Sequence, residues 1–314
     1  MADPTPDVVI SEFMDDAAVD WLRARLSVRY DPALVDDPAA LRAAGNPRGL
    51  IVRNRTQVTA DLIAAWPALA AVGRLGVGLD NIDTDACATR GVAVFPATGG
   101  NTVSVAEHVL TAALVLRKRA FLDSAAVLAG QWPRARGIGA EVAGSTLGLI
   151  GFGTIAQAVA ERARPFDMHL IAHDPFLPAE DPAWSRLGVE RCGALDDLLA
   201  RADVVSLHVP LTEATRNLID AARLAAMKPG AILINTARGG TVDEAALAAA
   251  LASGRLGGAA LDVFETEPLG AGSALADAPN LIATPHVAGV TDQSNTRISW
   301  MTVRSVATAL GVQE

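Results

Sequence analysis

At 314 residues, with 51% hydrophobic and 19% charged side chains, the chain has a globular composition and enough length for two domains with separate cores, which excludes a disordered protein. A formal net charge of -9 leaves no basic surplus for a phosphate backbone, so nucleic acid is not an expected partner, and a small anionic substrate needs arginines placed locally against the overall field. Cys87 and Cys192 stand far apart outside any C-x-x-C pattern and no apolar run approaches about 18 residues, so neither a metal site, a disulfide framework nor a membrane partner is expected. The acidic lead from Met1 to Asp7 lacks the basic and apolar regions of a secretory signal, which places the chain in the cytoplasm.

Up to about residue 96, short apolar runs (Val8 to Ile10, Leu50 to Val52, Val72 to Leu75, Val92 to Phe95) alternate with longer segments bearing alanine and leucine, the rhythm of a parallel sheet with crossover helices. Arg53-Asn54-Arg55-Thr56 follows one of these strands and Gly76-Val77-Gly78 another. Ligands bind beyond the carboxyl ends of parallel strands, so both loops are candidate rims. Taken alone they read more simply as turn glycines and solvated arginines. Pro96 to Asn101 breaks the chain. Beyond it, Ser104-Val105-Ala106-Glu107 has the form of a capping box, opening a helix expected to run to about Leu128 and stop at Gly130.

The stretch Leu147 to Ala156 is an apolar run that ends in a glycine turn and restarts with helical periodicity. This is how a buried strand delivers a phosphate to a helix N-terminus: Gly151 allows the turn, Gly153 admits a pyrophosphate to the backbone, and Ala156 lets helix and strand pack closely. A second strand, Met168 to Ala172, ends at Asp174, about 20 residues past the glycines, where a carboxylate accepts hydrogen bonds from a ribose 2′-OH. An acid there repels a 2′-phosphate, so NAD is expected in preference to NADP.

Further strands follow at Val204 to Leu207, Ala231 to Asn235, Ala259 to Phe264 and Leu281 to Ala283, with a helix from about Val242 to Ser253 and a last amphipathic segment from Ser294 to Leu310. The last three strands each lead to one chemically capable side chain, Arg238, Glu267 and His286. A guanidinium fork suits a carboxylate, an imidazole suits a proton that leaves as hydride leaves, and a glutamate beside the imidazole fixes its orientation. Singly, each has a duller reading as a solvated loop, a turn start or a structural histidine. Jointly, at strand ends beyond a dinucleotide turn, they describe hydride exchange at a 2-hydroxy acid.

The blocks GLIGFGTIA, LHVPLTEATRNLI, MKPGAILINTARGGTVDEAAL, ALDVFETEPL and TPHVAGV, with RLGVGLDNID and NTVSVAEH before them, resemble the signature blocks of the D-isomer-specific 2-hydroxyacid dehydrogenases, the group that includes phosphoglycerate dehydrogenase. The resemblance implies an α/β chain of two doubly wound parallel-sheet domains. In it, a Rossmann NAD-binding domain (100–287) is inserted in a flavodoxin-like substrate domain (1–99 and 288–314), with a cleft closing on substrate and a homodimer formed mainly through the nucleotide domain. It also implies roles. Arg238 binds the substrate carboxylate, His286 is the acid/base and Glu267 its partner, while the backbone of Val77 and Gly78 holds the carboxylate from the other side. Thr154 and Ile155 meet the pyrophosphate, Asp174 the adenosine ribose and Asp262 the nicotinamide carboxamide. Val209, Pro210 and Thr215 border the adenine and its ribose, and Ala237 belongs to the same cofactor-binding set.

Which acid is turned over is a separate question. Arg53, with Asn54 beside it, and Arg55 offer a cationic rim for a second anionic group, and VVISEFMDD, IVRNRTQV and PHVAGVTDQSN resemble blocks of the sulfolactate dehydrogenases in this family. Sulfolactate, 3-phosphoglycerate, glyoxylate and hydroxypyruvate all stay open. So does an NAD-binding corepressor-like module with little turnover.

Overall fold

The computed structural model describes residues 5–312, so Met1 to Pro4 of the acidic lead lie outside the described residues. The chain divides into two compact units, one formed by residues up to Asn101 and from Val290 onward, the other by Thr102–Gly289.

The first unit holds five parallel strands, β1 (Val8–Ile10), β2 (Val28–Tyr30), β3 (Gly49–Val52), β4 (Ala71–Arg74) and β5 (Ala93–Pro96), in the order β2-β1-β3-β4-β5. That is the flavodoxin-like doubly wound order. The central strands are continuous apolar runs because helices cover both faces of the sheet. One cover is the closing helix Asp292–Ala309: a Cβ at Gly73 would come within 2.5 Å of Thr302 and 2.7 Å of Val306, so β4 needs glycine where that helix lies against it. The helix begins with a reciprocal cap between Thr291 and Ser294.

The second unit carries β6 (Thr146–Ile150), β7 (His169–His173), β8 (Glu190–Arg191), β9 (Val204–Leu207), β10 (Ile232–Asn235), β11 (Gly258–Leu261) and β12 (Leu281–Ala283). They pair in parallel in the order β12-β11-β10-β9-β6-β7-β8. The order reverses at β6, whose neighbours are β7 and β9, and a ligand crevice forms beyond the carboxyl ends of strands at such a switch point. Alternate residues of these strands feed opposite cores: Val204, Ile232 and Ile234 pack on one face with the helices Thr102–Lys118 and Thr154–Ala163, while Val205, Leu207 and Leu233 face the other.

Register decides what the carboxyl edge presents. Ile150 lies opposite both His173 and Leu207, Leu207 opposite Asn235, Asn235 opposite Leu261, and Leu261 opposite Ala283. One row of residues therefore crosses the sheet, and the glycine turn, Asp174, His208, Arg238, Glu267 and His286 all follow from that row.

The expected helix from Ser104 to Leu128 is two helices. The first spans Thr102–Lys118, with Ser104 buried inside its first turn instead of capping it, and the second spans Ser124–Leu128. The break is at Arg119, which takes a left-handed φ of 57°, and the returning chain closes on the exposed carbonyls: Ala140 N–H donates to Arg117 O at 2.7 Å. A Cβ on Gly139 would lie 2.3 Å from Arg117 O, so only glycine passes there.

Candidate active site

The glycine turn owes each of its small residues to a different constraint. Gly151 has φ 84°, and a Cβ there would meet His208 O at 2.8 Å. Gly153, the N-cap of helix Thr154–Ala163, has open space where its Cβ would stand and no side-chain cap over the helix amides, which leaves the N–H groups of Thr154 and Ile155 at the positive end of the dipole. Ala156 is fully buried under the sheet. Asp174 completes the corner: Oδ2 accepts from Phe152 N–H at 2.8 Å, and Oδ1 accepts from Phe176 and Leu177 N–H at 2.8 and 3.1 Å. The carboxylate is thus held by the turn it serves. An open glycine cradle, exposed helix amides and a fixed acid at the end of β7 suit a dinucleotide with a free 2′-OH.

Beyond β9, His208 is half-buried, its ring nitrogen Nε2 turned inward. Its Nε2 is buried without a hydrogen-bond partner, and burial pushes the imidazole down to about 4. Val209 and Pro210 continue the loop, which Thr215 closes by donating to Pro210 O at 2.6 Å and accepting from Thr212 N–H at 2.7 Å. His173 is tied through Nδ1 to Cys192 O at 3.0 Å. Both cysteines are buried and free, and burial raises both thiols, that of Cys192 to about 11. Neither is poised as a nucleophile.

Arg238 stands in the loop after β10. Asn235, 1% exposed at the strand end, builds that loop: its Nδ2 donates to Arg238 O at 2.9 Å and to Thr241 Oγ1 at 3.1 Å, and its Oδ1 accepts from Ala237 N–H at 3.0 Å. Gly239 is obligatory, since a Cβ would lie 1.7 Å from Phe264 O in the neighbouring loop. The guanidinium donates from Nη1 to Ala237 O at 2.6 Å, which fixes the fork against its own loop.

Glu267 and His286 meet directly, with Oε2 2.8 Å from Nδ1. A carboxylate can only accept here, so Nδ1 carries the hydrogen and Nε2 is the nitrogen that exchanges a proton. Glu267 Oε1 accepts from Phe264 N–H at 3.1 Å, so both oxygens are placed. The pair is about one-third exposed on each side, accessible to a small molecule. His286 itself has φ 55°. Asp262, 1% exposed, holds that turn by accepting from Thr284 Oγ1 at 2.6 Å and from the N–H groups of Val287 and Ala288 at 2.8 Å each. The structure therefore gives Asp262 an anchoring task beside the carboxamide contact expected of it.

The remaining expected residues lie in the first unit. Val77 is exposed and Gly78 half-buried in the loop after β4. Arg53 and Asn54 leave β3. Arg53 is half-buried and donates from Nη2 to Asn295 Oδ1 at 2.5 Å, whereas Arg55 pairs with Asp36 in an exposed ion pair. Sequence reasoning passed over Asn235 and Glu12. Their only signal is a polar side chain at the last position of a fully buried strand or two residues beyond one. No group of ligands for a metal ion occurs among the described residues, and no helix there is long and apolar enough to cross a membrane.

A doubly wound sheet with a dinucleotide turn at its switch point and an arginine, a glutamate and a histidine on the adjoining strand ends defines an NAD-linked dehydrogenase. The sequence model described as "D-isomer specific 2-hydroxyacid dehydrogenase, NAD binding domain" matches residues 110–288. The chain is 60% identical over 308 residues to an (S)-sulfolactate dehydrogenase of Chromohalobacter salexigens, covering 98% of this chain and 99% of that one. It is 41% identical over 97% of its length to a D-3-phosphoglycerate dehydrogenase of Mycobacterium leprae, of which it spans 57%. Among solved structures, the TT0316 protein of Thermus thermophilus superposes with a TM-score of 0.87 at 33% identity, over 98% of this chain and 97% of that one. The chain belongs to the D-isomer-specific 2-hydroxyacid dehydrogenase family. It is an NAD-dependent oxidoreductase acting on a small hydroxy acid.

Proposed function

We propose that the substrate is (S)-sulfolactate, oxidised to the corresponding keto acid by the Arg238, Glu267 and His286 site. The observation that carries this reading is the 60% identity with a sulfolactate dehydrogenase over nearly the whole of both chains. Stereochemistry agrees: sulfur outranks carboxylate in naming priority, so the (S) label describes the same spatial arrangement as a D-2-hydroxy acid.

In this reading the Arg238 fork holds the substrate carboxylate. Neutral His286 takes the hydroxyl proton at Nε2, and the Glu267 carboxylate at Nδ1 stabilises the imidazolium that results. Bound on the glycine turn, NAD would supply the hydride acceptor for the carbinol carbon. Thr154 and Ile155 hold its pyrophosphate through backbone N–H groups, Asp174 its adenosine ribose and Asp262 its carboxamide, while Val209, Pro210, Thr215 and Ala237 line the cofactor. Val77 and Gly78 support the substrate carboxylate, and Arg53, next to Asn54, takes the sulfonate.

The chain is further read as a cytoplasmic homodimer. Phe121, Leu128, Trp132 and Ile138 all stand exposed on one stretch of the second unit, apolar surface that a second copy would cover and that sedimentation velocity would test. The relatives above are dehydrogenases by name, and a corepressor-like module draws no support from them.

The deciding experiment follows NADH formation with (S)-sulfolactate, D-3-phosphoglycerate, D-glycerate and D-lactate. Sulfolactate is expected to have the highest kcat/KM. Equal or better turnover of D-lactate would exclude a role for the second anion. Arg238→Lys should lower kcat/KM by about 10- to 100-fold while NAD affinity stays within threefold, because the loss falls on one bidentate charge-assisted pair.

A further inference from the structure

The four-residue loop that carries Arg53 is built from below by a buried carboxylate. Glu12 follows β1 by two residues, and because Ile10 lies opposite Ile51, its side chain reaches the exit of β3. It is 5% exposed. Its Oε1 accepts from the N–H groups of Arg53 at 2.8 Å and Thr56 at 2.9 Å, and its Oε2 accepts from Arg55 N–H at 3.2 Å. Asn81 secures the same loop from β4's side, donating from Nδ2 to Thr56 O at 2.7 Å and to Arg53 O at 3.3 Å, and the Ser11 and Thr56 hydroxyls meet at 2.9 Å.

A surface turn does not require this. Burying a carboxylate is unfavourable unless hydrogen bonds offset it, and exposed loop amides are satisfied by water without it. The loop carries two long cations, Arg53 and Arg55, and the shorter clamp is on Arg53. With its backbone clamped, its guanidinium is directed between the Phe13 ring, 5.5 Å from the centroid, and the amide oxygen of Asn295. Arg53 Nε is buried without a partner and Asn295 is neutral, so the guanidinium is in no side-chain ion pair among the described residues, although the Glu12 carboxylate acts on its charge at longer range. Arg55, two residues on, is spent on Asp36.

We propose that Glu12 is a positioning residue for substrate selectivity: by fixing the backbone of the Arg53 to Thr56 loop, it aims Arg53 at the strong-acid oxyanion that distinguishes a doubly charged substrate from a simple 2-keto acid. The proposal rests on the reading that Arg53 takes the second anion. Gln at this position keeps one oxygen for Arg53 and Thr56 N–H but turns an amide N–H₂ toward Arg55 N–H, a donor facing a donor. Asp keeps the charge and withdraws it by one methylene.

The test compares kcat/KM for 3-sulfopyruvate with that for hydroxypyruvate, both reduced with NADH, in the native enzyme, Glu12→Gln, Glu12→Asp and Arg53→Met, with a thermal melt of each. Both Glu12 variants are expected to lower the ratio, Glu12→Gln by about tenfold or more, through KM for 3-sulfopyruvate. Should Glu12→Gln fail to fold, Glu12→Asp supplies the same readout. A ratio within twofold of native in the folded Glu12 variants, while Arg53→Met loses it, overturns the role of Glu12 and makes that residue purely structural. An unchanged ratio in Arg53→Met overturns instead the assignment of Arg53 to the second anion.

Discussion

Asp262 and His286 are joined through both backbone and side chain: His286 N–H donates to Asp262 O at 2.9 Å, and the Asp262 carboxylate accepts the two N–H groups that follow, those of Val287 and Ala288. His286 and the two residues after it are thereby pinned to the end of β11, and a histidine at φ 55° is kept in a conformation seldom adopted without support. Asp262→Asn removes acceptor capacity and turns an N–H₂ toward Ala288 or Val287. Urea denaturation should show a loss of about 1–3 kcal/mol, and kcat should fall further than stability alone explains. Unchanged kcat in a destabilised variant would separate the anchor from the chemistry.

The Glu267 contact specifies which imidazole nitrogen holds the proton. His286→Ala should lower turnover by about 10²- to 10⁴-fold, with a loss under threefold removing it from proton transfer. Glu267→Gln should cost a comparable factor, because an amide can present either a donor or an acceptor to Nδ1 and the tautomer is no longer dictated. Steady-state kinetics with unchanged NAD affinity would distinguish this from collapse of the site.

The two turn glycines should fail in different ways. Gly153→Ala enters open space in the protein and should leave the melting temperature within about 2 °C, yet weaken NAD binding about tenfold or more by crowding the pyrophosphate. Gly151→Ala forces a Cβ onto His208 O at positive φ and should destabilise the fold itself. Calorimetric titration with NAD and a melt of each variant check both statements. A Gly153→Ala protein with native NAD affinity would contradict the cradle.

His208 makes stability depend on pH. Its folded value lies near 4 against an ordinary 6.5, so below 6.5 the unfolded chain takes up a proton that the native state refuses. Stability is complete above that value and declines as pH falls through the window from 6.5 to about 4. Urea midpoints at pH 7.5 and 5 should differ, and His208→Asn should narrow the difference. An equal difference in the variant would assign the decline to other groups.

The glycine turn and the polar residues closing the last three strands were readable because each belongs to a local signal: an apolar run that stops, a small-residue spacing, a titratable side chain at the stop. The break at Arg119 was not. Thr102 to Leu128 contains no proline and no glycine, and only the chain returning through Gly139 and Ala140 captures the carbonyl of Arg117, while Lys118 O is taken by Ala120 N–H within the turn itself. Arg53 and Arg55 likewise looked equivalent as near neighbours, until Asn295 and Asp36, remote in sequence, gave them different partners.

The central strands, their order of appearance and the chemistry of Arg238, Glu267 and His286 are properties of the chain read locally, since hydrophobic periodicity and turn composition act over a few residues. The edge strands β2 and β8, by contrast, have no buried residue, lack an apolar run and were not expected from the sequence. Which oxygen of Glu267 meets which nitrogen of His286, how Asp262 and Asn235 build the loops beneath them, and that Glu12 supports Arg53 depended on tertiary structure. Those contacts exist only after parallel pairing brings strand ends from distant parts of the sequence into one register, and no short-range pattern encodes a partner whose distance along the chain is arbitrary.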